Sequence, residues 1–155
     1  MTQAAFIARQ IRGGFFGDNW CGLSLREAVA DLRFDQAIKS LPHSHSIAEL
    51  VFHLGYYLQG VEEVLRGGSL VIRDQYSFEM PPITNESDWR SLLDRTWQLA
   101  ESFIGQVEKL PDDLFDQTFV DEKYGDYYRN LTGLVEHLYY HLGQIALIKK
   151  SVIVQ

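Results

Sequence analysis

The chain is poor in cysteine, in proline, in basic residues and in long apolar runs. Cys21 is its one cysteine, so no disulfide can close within the chain. A lone thiol fits a reducing compartment, and a cytoplasmic protein is expected. There are four prolines in 155 residues, two of them adjacent at Pro81-Pro82. Long stretches are therefore free to form helix. No segment approaches the roughly 20 apolar residues of a membrane span. Arg9 and Arg12 interrupt the N-terminal stretch, which does not read as a signal peptide. Lys and Arg number 14 against 21 Asp and Glu, for a formal net charge of -7. Nucleic-acid affinity rests largely on basic side chains neutralising phosphates, so that class of partner is disfavoured. Neither a membrane nor a nucleic acid is expected as a partner.

What is present suits a packed core. The chain is 46% hydrophobic and 23% charged, and its length fits one domain, residues 1–155. Glycines and prolines divide it into four long blocks. The first runs from Thr2 to about Arg12 and closes at Gly13-Gly14, with Phe6, Ile7 and Ile11 on one side. The second, about Ser46 to Arg66, opens on a capping box, Ser46-Ile47-Ala48-Glu49. The third, Ser87 to Lys109, has Ser87 as its cap, an apolar face through Leu92, Leu99 and Phe103, and Pro111 beyond its end. The fourth, about Tyr127 to Val152, repeats Leu131, Leu134, Leu138, Leu142, Ile145 and Ile148 at helical spacing.

The connections are long. Ser24 to Leu32 reads as a short helix in the first, and PDDLF near Pro111 as a helical turn in the third. Leu70-Val71-Ile72 is a short β-like run in the second. Four amphipathic helices bury their stripes most simply against each other. The expected fold is all-α, a four-helix bundle with long crossover connections.

Five histidines are spread unevenly. His43 and His45 lie in LPHSHS and read as solvated loop residues. His137 and His141 stand four apart, so both project from nearly the same helix face. That face also carries Leu134, Leu138 and Ile145 and points inward. His53 sits likewise between Leu50 and Leu54. Three imidazoles thus enter one bundle interior from two helices. They are either core residues with satisfied hydrogen bonds or ligands of a divalent ion. Three neutral imidazoles with an open position suit Zn²⁺, Ni²⁺, Fe²⁺ or Mn²⁺. Position 138 is Leu, so the glutamate of the H-E-x-x-H protease motif is missing.

The motifs, taken together, resemble a known family. HLYYHLGQI (137–145) is similar to the HxxxHxGQI signature of the DinB/YfiT-like superfamily. SIAELVFHLGYYLQG (46–60) resembles that family's second helix, and GDNWCGLSLREAV (17–29) its G-x-x-W-x-G-x-S-L stretch. The resemblance implies a four-helix bundle with an unusual crossing connection, often a homodimer. It also implies a divalent-metal site at His53, His137 and His141. Gln144 matches the motif glutamine and stands either behind a histidine ligand or at a helix or dimer contact. Some relatives are transferases or isomerases that use a low-molecular-weight thiol, and there the metal activates a thiol or water.

Other residues are candidates for the same site. Tyr57, one turn from His53, can orient a substrate or belong to the core edge. Trp20 can line the pocket mouth or pack ordinarily, and Cys21 reads as a small packing residue. Tyr139 and Tyr140 are expected to point away from the histidine pair. Asp94, Trp97 and Glu101 lie along one side of the third block and offer a carboxylate to the site or a solvated face. Two functional readings follow. One is a metal-dependent enzyme acting on a small molecule or a low-molecular-weight thiol, by transfer or hydrolysis. The other is a non-catalytic, dimeric metal- or ligand-binding bundle of a stress response.

Overall fold

The computed structural model describes residues 1–153; residues 154–155 of the expected domain lie outside the described residues. Six helices are present among them: α1 (Gln3–Phe16), α2 (Leu25–Val29), α3 (Phe34–Ala37), α4 (Ile47–Leu65), α5 (Glu86–Val107) and α6 (Tyr127–Val152). The fold is all-α, and the only β-bridge among the described residues is an isolated one between Thr118 and Asp126.

Local chemistry sets the helix starts. Thr2 Oγ1 accepts from the Ala5 amide at 3.1 Å and caps α1. Ser46 accepts from the Glu49 amide at 3.2 Å, while the Ser46 amide donates back to the Glu49 carboxylate at 2.7 Å, completing the box expected for α4. Ser24 and Glu27 form a second such box on α2. Asn85, rather than Ser87, caps α5, because its side-chain oxygen accepts from the Asp88 amide at 3.0 Å.

The long helices α1, α4, α5 and α6 form the bundle. Helix α1 packs on α5 and α6, and α4 packs on the same two. The order around the bundle is therefore α1, α5, α4, α6, and the first and third connections link helices across a diagonal. This arrangement makes α4 and α6 neighbours, which is what the histidine site requires. One continuous core fills the interior, with Ile7, Ile11, Phe15, Trp89, Phe103 and Leu131 each at most 1% exposed. Trp89 also donates its indole N–H to the Leu32 carbonyl at 3.1 Å, tying α5 to the first connection.

The first helix does not stop at Gly13-Gly14. It continues to Phe16, and Gly17 at φ 118° ends it. The glycine pair lies inside the helix because α6 approaches there: a Cβ on Gly14 would stand 2.4 Å from Leu138 Cδ2. The glycines are a notch for a neighbour, not a stop signal. Residues 66–85 form no strand. They make a strap with a 3-10 turn at Asp74–Tyr76, held where Tyr56 Oη donates to the Arg73 carbonyl at 3.1 Å and accepts from its amide at 2.8 Å.

Candidate metal centre

His53 comes from α4, and His137 and His141 from successive turns of α6. Their side chains meet. His53 Nε2 and His141 Nε2 each lie 2.9 Å from His137 Nε2. One ring nitrogen of each residue lies within 4.8 Å of the others. Nitrogens that share one ion at about 2.0–2.1 Å sit roughly 3 Å apart, so this spacing suits a common cation. His53 and His141 are each 7% exposed, and His137 is half-buried.

The surroundings favour neutral rings. Burial, then the neighbouring His141, pushes His53 down to about 4. Burial, then His141 and His53, does the same for His137, also to about 4. Burial lowers His141 as well, opposed by its contact with Gln144. Neutral imidazole is the form that binds a metal ion. Three converging lone pairs are otherwise costly neighbours in a buried site.

A second layer of residues holds the rings. His141 Nδ1 lies 2.6 Å from Gln144 Oε1, and the Gln144 amide N–H₂ donates to Tyr140 Oη at 3.2 Å. Gln144 thus stands behind a histidine, one of the two placements expected of it. Tyr140 does not point wholly away, since its ring meets His141 edge-on, 4.9 Å between centroids. Tyr139 does point elsewhere, donating to the Gln10 carbonyl of α1 at 3.2 Å. Tyr57 packs edge-on against His53 and His137, 5.0 Å from each. Its hydroxyl donates to Asp74, and burial together with that bond holds it up at about 12.

The strap contributes what the helices cannot. Phe78 stacks on His53 at 4.0 Å and 8°, and His45 stacks on the far face of Phe78 at 3.7 Å and 2°. His45 is exposed but is not a free loop residue. His53 Nδ1 is buried without a hydrogen-bond partner, and the Ser77 backbone and the Asp74 carboxylate oppose the lowering of its ring. Nothing in the spacing of Asp74, Ser77 or Phe78 marks them as site residues, because only the course of the strap brings them there.

Other candidates lie elsewhere. Trp20 is 102% exposed and Cys21 is also exposed, so neither lines the site nor packs in the core. The Gly22 amide donates to the Asn19 carbonyl at 3.3 Å, which makes Trp20 and Cys21 the two tip residues of a tight turn. Asn19 does the packing there, donating to the carbonyls of Gly13 and Leu23. On α5, Glu101 pairs with Arg12 at 3.1 Å, Asp94 is exposed and Trp97 packs on Phe16. That helix lies diagonally across from α6, so its carboxylates do not reach the histidines.

A model of the DinB superfamily matches residues 24–145, which is most of the chain. The chain belongs to the DinB superfamily. The matched span holds His53, His137, His141 and Gln144, and it begins after the turn that carries Trp20. No curated protein and no solved structure matches the chain. For this DinB-superfamily protein, the clustered histidines are compatible with metal binding. Among the described residues, no helix is long and apolar enough to cross a membrane.

Proposed function

We propose that the protein is a metal-dependent enzyme in which His53, His137 and His141 hold a divalent cation from one side. The observation that carries this reading is the convergence of three Nε2 atoms at contacts of 2.9 Å, from two helices. The residues offer three ligands, and a closed structural site needs four, so positions stay open for a reactant. A bound divalent cation lowers the pKa of a thiol or of water. The chain's own part is to keep the three rings neutral and oriented and to exclude bulk water through Phe78 and Tyr57. The reaction class is transfer to or from a low-molecular-weight thiol, or hydrolysis. A cytoplasmic setting, supported by the single exposed thiol of Cys21, belongs to the same reading. So does a homodimer, supported by Tyr140 and Leu147, exposed at 63% and 68% on α6.

Metal content of protein purified without a histidine tag tests the first part. One divalent ion per chain is expected, lost in His141→Ala. Absence of metal in the wild type, or equal metal in the variant, defeats the proposal. Conjugation of an electrophile to several low-molecular-weight thiols, with and without a chelator, tests the second. Chelator-insensitive turnover, or none with any thiol or hydrolysable ester, counts against an enzyme.

A further inference from the structure

Beside the histidines lies a cavity of about 650 Å³, bounded by α4, α6, the strap and the connection before α6. Its volume is in the range of small-molecule sites. His137 and Tyr57 reach it from the histidine cluster, and Val61, Ile72 and Leu134 give it apolar walls. Arg73 and Arg129, both exposed, also line it. Neither guanidinium pairs with a carboxylate among the described residues. The one acidic lining residue, Asp74, is occupied by the Tyr57 hydroxyl. In a chain of net charge -7, a cavity lined by two Arg and one Asp is a local reversal of sign.

The helix sets the cavity's length. Arg129, Gly133 and His137 are spaced four apart on α6, so they share one face. Two turns, on the order of 12 Å, separate the ends. Gly133 lies between them and presents no side chain. A Cβ added there would meet nothing within 4 Å, so the space is open.

We infer that this cavity binds the substrate of the histidine site, and that the substrate is a small organic anion with an apolar body. Its carboxylate or phosphate group lies against Arg129 and Arg73, its body against Val61, Ile72 and Leu134, and its other end at His137. The assignment to a substrate rests on the metal-site reading above; the binding of the anion does not.

Calorimetry on the full chain, metal-loaded and metal-stripped, with metal content measured separately, tests this. The probes are 4-phenylbutyrate, phenyl phosphate and the uncharged 4-phenylbutyramide. Saturable binding of at least one anion is expected, with the amide about tenfold weaker or more, since charge-assisted pairing to arginine is lost. Which anion binds tells carboxylate from phosphate. Arg73→Ala/Arg129→Ala should weaken the anion by about tenfold or more. Gly133→Leu should abolish binding while helix content stays unchanged, and Gly133→Ala should retain part of it. Equal binding of the amide, undiminished binding in Gly133→Leu, or no binding of either anion overturns the inference. Metal uptake without anion binding overturns it alone. Anion binding without metal uptake supports the cavity and defeats only the metal-site reading.

Discussion

His141 Nδ1 and Gln144 Oε1 are 2.6 Å apart, one turn of α6 from each other. An amide oxygen only accepts, so the ring proton sits on Nδ1. Tyr140 Oη, accepting from the other end of the same amide, keeps the oxygen turned to the ring. The lone pair of His141 is thereby left on Nε2, the atom that faces His137. Partners of this kind usually change metal affinity by about 10–100-fold when removed. Gln144→Leu should therefore bind the metal about 10–100-fold more weakly in chelator competition, with unchanged helical content. Gln144→Glu keeps an acceptor and should restore most of the loss. Equal affinity in wild type and Gln144→Leu would reduce this contact to ordinary packing.

The depressed histidines give the metal-free protein a pH signature. His53 and His137 stand at about 4 in the folded chain, against an ordinary value near 6.5. Between those values the unfolded chain takes up protons that the folded chain refuses, so stability falls as pH drops from about 6.5 toward 4. The midpoint temperature of chelator-treated protein should fall through that window more steeply than in His53→Gln/His137→Gln. Added metal, which competes with protons for the same lone pairs, should flatten the wild-type slope. Parallel slopes in wild type and the double variant would show that other groups set the acid limit.

Phe78 closes one wall of the site by stacking between His45 and His53. Aromatic pairs are worth about 0.5–1.5 kcal/mol beyond their area. Phe78→Ala should therefore destabilise the fold by about 1–3 kcal/mol, the ring being only partly buried. Hydrogen exchange should rise across residues 70–80 ahead of the rest of the chain. Unchanged exchange there would mean that Tyr56 and its bonds to Arg73 hold the strap without help.

The helices and the histidines were readable because both follow local rules. The Leu and Ile recurrence that marks Tyr127 to Val152 is the buried stripe of α6, and the same stripe carries His137 and His141 inward. Ser46 and Glu49 are a capping pair in sequence and in space. What escaped depends on contacts far apart in the chain. Gly13-Gly14 looks like a stop until Leu138 is seen to fill the notch. Phe78 and Asp74 sit in a segment without periodicity, and only the strap's path sets them on His53 and Tyr57. Trp20, a large apolar residue, suggests burial by composition, yet a tight turn aims it into solvent.

The notch at Gly14 separates two effects of one substitution. In an open helix, Gly→Ala gains about 0.8–1 kcal/mol of propensity. Gly105 and Gly143 are such places, since an added Cβ would meet nothing within 4 Å. Gly105→Ala and Gly143→Ala should each stabilise by about 0.5–1 kcal/mol. At Gly14 the new methyl would stand 2.4 Å from Leu138 Cδ2 and 3.0 Å from its Cγ. Leu138 is 2% exposed and has little room to turn, so α1 must move off α6 or the leucine must leave its rotamer. Overpacking of this kind costs about 1–3 kcal/mol, which outweighs the propensity gain or at best equals it. Gly14→Ala should then be neutral to about 2 kcal/mol destabilising in urea unfolding, and Leu138→Ala in the same background should recover part of that loss relative to Leu138→Ala alone. Because Leu138 adjoins His137 on α6, Gly14→Ala should also weaken metal binding, whereas Gly105→Ala, on α5 away from the site, should not. A stabilised Gly14→Ala with wild-type metal affinity would show that α1 and α6 are not held as closely as this contact requires.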